Sequence, residues 1–105
     1  MCDAGEGLSV LRNTLKSEKQ FKQNPNDLKT IEYLGDIEGH LQNWDNCIFY
    51  YTKLKSLKPT EANYWYKYGG ALGMKASSTK SLASLKMVYK AESAFKKALA
   101  LNPKH

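Results

Sequence analysis

The sequence has one arginine, two cysteines, two histidines and three prolines in 105 residues. Each scarcity excludes something. Cys2 and Cys47 are too few for a disulfide framework or a cysteine-based zinc site. A lone Arg12 supplies no set of guanidinium forks for reading phosphates or bases. No apolar run approaches the length of a membrane-spanning helix. The first residues, MCDAGEGLSVL, have neither the basic nor the apolar stretch of a secretory signal. The cytoplasm is therefore the default compartment, with both thiols reduced. Cys2 beside Met1 also fits a second, less favoured reading as a lipid-attachment cysteine whose leader was replaced. The chain lacks a Gly-rich phosphate loop and the GxSxG, HExxH and CxxC motifs. No catalytic residue, cofactor or metal is expected, and an enzyme is disfavoured.

What is present is ordinary in amount and uneven in distribution. Hydrophobic residues make up 42% and charged residues 25%, as in a small globular domain. Residues 1–52 carry four Lys, one Arg and eight acids, a net −3, whereas 53–105 carry eleven Lys and only Glu61 and Glu92, a net +9. A basic half of this kind can steer acidic partners, and a solvated lysine surface is the favoured reading.

The apolar spacing predicts helices throughout. Leu8, Val10, Leu11, Leu15 and Phe21 mark a first helix after a flexible 1–7. Gln23–Asp27, with Pro25, ends it, and Asp27 is placed to cap the next. A second helix over 28–41 carries Ile31, Leu34, Ile37 and Leu41 on one face. A third over 44–57 carries Trp44, Cys47, Ile48, Tyr51, Leu54 and Leu57. Thr60 is placed to cap a fourth helix over 61–76, with Tyr64, Trp65, Tyr68, Leu72 and Met74. Ser77–Ser81 reads as a polar break. A fifth helix within 82–101 carries Leu85, Val88, Ala91, Ala94, Phe95, Ala98 and Leu101. No strand-type alternation or hairpin turn dipeptide occurs, so an all-α stack of antiparallel helical hairpins is expected.

An internal repeat is the strongest signal. Leu34-Gly35 recurs 34 residues later as Tyr68-Gly69. Cys47, Tyr51, Leu54, Leu57 and Pro59 recur in the same spacing as Ala91, Phe95, Ala98, Leu101 and Pro103. The second unit holds ten extra residues between its helices, expected as an insert near 76–86.

This pattern resembles the tetratricopeptide repeat (TPR) family. That family combines a bulky residue early in helix A, a Leu-Gly pair one turn on, a small residue, an aromatic and an alanine in helix B, and a closing proline. The matching residues are Ile31, Leu34-Gly35, Cys47, Tyr51, Leu54 and Pro59, then Trp65, Tyr68-Gly69, Ala91, Phe95, Ala98 and Pro103. Cys47 and Leu54 stand where alanine is usual, and Tyr68 where leucine is. TIEYLGDIEGH, NWDNCIFYYTKLKSLKP and ANYWYKYGGALGMKA are similar to TPR proteins of the Bacteroidota, which implies further helices beyond His105. The resemblance implies a right-handed solenoid of about five helices forming one domain over 8–105. A partial repeat covers 8–27, a full repeat 28–61, and a repeat with an insert 62–105. Either a longer array or self-association through the exposed C-terminal helix is expected.

The resemblance also implies a non-catalytic interaction module that binds a protein or peptide along the concave helix-A face. Projected onto this chain, that face comprises Lys29, Glu32, Asp36, Gly39 and His40, then Asn63, Tyr66, Gly70, Gly73 and Met74. The first set is acidic and the second open and apolar, suiting a peptide with a basic and an apolar end. The family's clamp for C-terminal carboxylates needs Lys and Asn where Glu32 and Asp36 stand, which disfavours that ligand. Glu32, Asp36 and His40 lie one turn apart but make a poor metal site. Cys47 reads as core. Gly70 and Gly73 are expected to admit a close helix, with a ligand backbone as the less favoured alternative. Tyr66 is the surface aromatic expected among the tyrosines. Nucleic acid is an unlikely partner, and a basic module drawn electrostatically to nucleic acid or acidic polymers is the alternative reading.

Overall fold

The computed structural model describes residues 4–79 and 81–104. Five helices follow in chain order: α1 Ala4–Gln23, α2 Leu28–His40, α3 Trp44–Leu57, α4 Ala62–Thr79 and α5 Ala83–Leu101. Among the described residues there is no strand. The fold is all-α, as the spacing predicts. Each helix packs on the next in sequence, and α4 with α5 is the most extensive pair.

The centre of the core is Ile31 of α2 and Cys47, Tyr51 and Leu54 of α3, joined by Ala71 of α4. Ile31 and Leu54 have no exposed surface. The second hairpin is built from smaller residues. Ala91, Ala94 and Ala98 are the buried residues of α5, and Gly69, Leu72 and Ala76 are among those of α4. Small facing residues let two helices approach closely. A Cβ on Gly69 would lie 2.9 Å from the Phe95 ring, and Gly35 sits against Tyr51 in the same way. The two hairpins thus share one crossing device, a glycine under an aromatic ring, at the positions that repeat in the sequence.

The insert does not form the polar excursion expected near 76–86. α4 and α5, at 18 and 19 residues, are each five longer than α2 and α3, at 13 and 14. The ten extra residues lengthen both helices equally, and α4 continues through Ser77, Ser78 and Thr79. Serine and threonine are tolerated there because their hydroxyls bond back to the helix: Ser78 and Thr79 both donate to the Lys75 carbonyl, at 2.9 and 2.7 Å.

Helix ends also depart from expectation. The first helix begins at Ala4 within the segment expected to be flexible, while Met1–Asp3, with Cys2, lie outside the described residues. Asp27 sits at the N-cap of α2 but its side chain bonds no backbone amide; the carboxylate accepts the Thr30 hydroxyl at 2.5 Å. Thr60 does not cap α4, whose first amides turn instead to Glu61: Tyr64 N–H bonds the Glu61 carbonyl at 3.2 Å. The C-terminus of α2 closes with Gln42 in the left-handed region at φ 60°. Gln42 N–H reaches Gly39 O and Asn43 N–H reaches Glu38 O, the paired bonds that finish a helix on a left-handed residue.

Several apolar residues expected inside are outside. Leu8, Val10, Leu11 and Leu15 of α1 are exposed, Leu11 at 55% and Leu15 at 57%. Leu41, Leu57, Leu85 and Val88 are exposed as well. α1 contributes chiefly Phe21, whose ring meets Tyr50 edge-on at 5.5 Å.

Candidate functional site

Helices α2 and α4 form the walls of a cleft of about 490 Å³, floored by Trp44, Cys47 and Tyr51 of α3. Both helices pack on α3, and the cleft is the space left between them. Five of the projected residues line the cleft: Asp36, Gly39, His40, Gly70 and Met74. A Cβ at Gly39 would touch Cys47 Sγ at 3.4 Å.

One residue absent from the projection organises this site. Lys67 of α4 reaches across to α2, with its Nζ 2.7 Å from Glu32 Oε2 and 2.9 and 3.1 Å from the two Asp36 oxygens. The Tyr51 hydroxyl donates a further hydrogen bond to Asp36. Glu32 and Asp36, expected as a free acidic surface for a basic peptide end, are therefore already engaged from within the fold. The signal in the sequence was the acidic pair itself: two half-buried carboxylates one turn apart need a counter-ion. Which of sixteen basic residues supplies it is a tertiary fact.

The electrostatics follow from this packing. Burial lowers the affinity of Lys67 for its proton, but the bonds to Glu32 and Asp36 outweigh burial and its pKa ends above the ordinary value. Burial pushes Tyr51 up, and the Asp36 bond pushes it further, so the phenol stays protonated and donates. Burial likewise raises the Cys47 thiol to about 11, against a lowering by Tyr51 and further raising by Asp36 and Glu38. A thiol held protonated at neutral pH is no nucleophile, and Cys47 belongs to the core. The cleft offers a carboxylate–ammonium pair bridging its two walls, an exposed imidazole, and a bare stretch of α4 at Gly70, where a Cβ would meet nothing within 4 Å.

The other projected residues lie elsewhere. Lys29 is exposed on the first turn of α2, outside the cleft lining. Asn63 is half-buried on the first turn of α4, its N–H 3.5 Å from a Glu61 carboxylate oxygen. Tyr66 turns towards α5, with its ring 5.7 Å from Phe95 in a separate small pocket completed by Ala98 and Leu99. Tyr66 is not alone on the surface: Phe49 and Tyr89 are exposed too. Gly73, like Gly70, has open space where a Cβ would stand, so neither glycine seats a neighbouring helix of this chain.

Comparison with protein-family models gave no match to this chain, and comparison with curated proteins gave none either. No helix among the described residues is long and apolar enough to cross a membrane.

Proposed function

We propose that this chain is a TPR-like helical-repeat module whose function is non-catalytic: it binds a partner peptide or protein in the cleft between α2 and α4. The observation that carries the reading is the cleft itself, walled by the first helix of each hairpin and open at Gly70. The shared glycine-under-aromatic crossings of Gly35 with Tyr51 and Gly69 with Phe95 support the repeat. Because Lys67 already neutralises Glu32 and Asp36, the partner segment is expected to dock by apolar and backbone contacts near Gly70 and Met74 rather than by a basic end. Self-association, on the same reading, uses α5, where Leu85, Val88 and Leu99 are exposed.

Selection of binders from a displayed random-peptide library tests the proposal. Selected peptides should stay bound at about 0.5 M salt, where contacts between exposed charges are screened. Their affinity should fall about tenfold or more in Gly70→Gln and Met74→Glu and stay within about twofold in Tyr66→Ser. If only polyanions bind, and binding vanishes with salt, the chain is the basic electrostatic module instead.

A further inference from the structure

A second cleft, of about 460 Å³, shares no residue with the first and has the opposite chemistry. It lies where α3, α4 and α5 meet. Trp65 and Tyr68 of α4 and Tyr89 of α5 give it an aromatic lining, and Lys55, Lys90 and Lys97 give it three ammonium groups. Lys55 Nζ stands over both α4 rings, 4.9 Å from the Trp65 centroid and 4.7 Å from that of Tyr68. Tyr89 is 68% exposed.

The charge here is uncompensated. Residues 53–105 contain two acids, Glu61 and Glu92, and both are committed elsewhere. Glu61 pairs with Lys58 at 3.9 Å and Glu92 with Lys96 at 3.0 Å. Among the described residues, no carboxylate pairs with Lys55, Lys90 or Lys97. Three like charges around an apolar floor attract an anion that brings its own apolar group.

We infer that this cleft is a second docking site, for an acidic peptide segment whose carboxylates flank an aromatic or large aliphatic side chain. The apolar side chain settles against Tyr89 and Ala94, and the carboxylates reach Lys55, Lys90 and Lys97. The details favour a peptide over nucleic acid. One face of Trp65 and one of Tyr68 already carry the Lys55 ammonium, leaving less surface for stacking bases. The Trp65 indole N–H is spent on the Pro59 carbonyl at 2.8 Å. The lining holds lysines, which are mobile point charges suited to scattered carboxylates, and no arginine fork.

The test is fluorescence anisotropy of a labelled acidic peptide, EEDFDEE with blocked ends, titrated with the full chain at moderate salt. Saturable binding is expected. Replacing the central Phe by Gly should weaken it about fivefold or more. The double variant Lys90→Glu/Lys97→Glu should weaken it about tenfold or more, while Lys86→Glu/Lys104→Glu, an equal charge change outside the cleft, should cost about twofold or less. Circular dichroism verifies that both variants remain folded. Absence of binding, equal loss in the two variants, or indifference to the Phe would overturn the inference. So would displacement of the peptide by oligothymidylate at lower concentration than by unlabelled peptide, which would assign the cleft to nucleic acid. Gly70→Gln and Met74→Glu should leave this binding unchanged, because the two clefts share no lining residue.

Discussion

Tyr51 occupies the space that a side chain on Gly35 would need: a Cβ there would lie 2.5 Å from the tyrosine Cε1. Gly70 is the opposite case, with nothing within 4 Å. Gly35→Ala must push a buried ring or separate α2 from α3 and should cost about 1–3 kcal/mol. Gly70→Ala should stabilise the fold by up to about 1 kcal/mol, because alanine is the better helix former and meets no obstacle. Urea melts of the two variants check the pair, and equal effects would contradict the packing described.

Lys67→Met removes the one ammonium shared by Glu32 and Asp36. The expected loss is about 1 kcal/mol, towards the upper end for a partly exposed ion pair because two carboxylates lose their partner. Equilibrium unfolding at low and at high salt measures it, and the difference between wild type and variant should shrink as salt rises.

Stability should fall on the alkaline side. The folded chain holds Cys47 protonated to about 11 against an ordinary 9.0, and raises Tyr51 above 10.0 and Lys67 above 10.5. Below pH 9 these groups keep their protons whether the chain is folded or not, so their contribution is fully present. Above it the unfolded chain releases protons first, and the folded state loses stability as pH rises through each interval. Tyr50 and Tyr64, also raised by burial, act in the same direction. Denaturant midpoints measured from pH 8 to pH 11 should decline steadily from about pH 9.

Gln42→Gly should stabilise. A side chain at φ 60° carries a steric cost of roughly 1 kcal/mol that glycine does not, and the two closing bonds from Gln42 and Asn43 are made by backbone alone. A rise of a few degrees in the melting midpoint is expected for a chain of this size.

The sequence was most legible where periodicity and tertiary packing agree. α3 runs from Trp44 to Leu57 as its spacing predicts, and its Cys47, Tyr51 and Leu54 are buried. Legibility failed where neighbours decide. The apolar face of α1 has correct helical spacing, yet its Phe21 end is what packs on the core cluster, and Leu8, Leu11 and Leu15 stay more than half exposed. Capping failed at Asp27 because Thr30 offers its carboxylate a competing hydroxyl. The Ser-rich stretch before residue 80 reads as a loop because local propensity favours one, while Ser78 and Thr79, bonded back to the Lys75 carbonyl, continue the helix. Of the projected residues, Asp36, Gly39, His40, Gly70 and Met74 share one cleft. Lys67 was missed because helical projection places residues around one axis and says nothing of what a long side chain reaches across to.

The equal lengthening of α4 and α5 separates two properties that a hairpin usually carries together. Anchorage resides at the Gly69–Phe95 crossing, which the added residues leave untouched. Reach resides in the distal turns, each helix extended by about 7.5 Å at 1.5 Å per residue. Chain added in matched portions moves the tip outward while the foot stays in register. Chain added to one helix alone would shear the two apart.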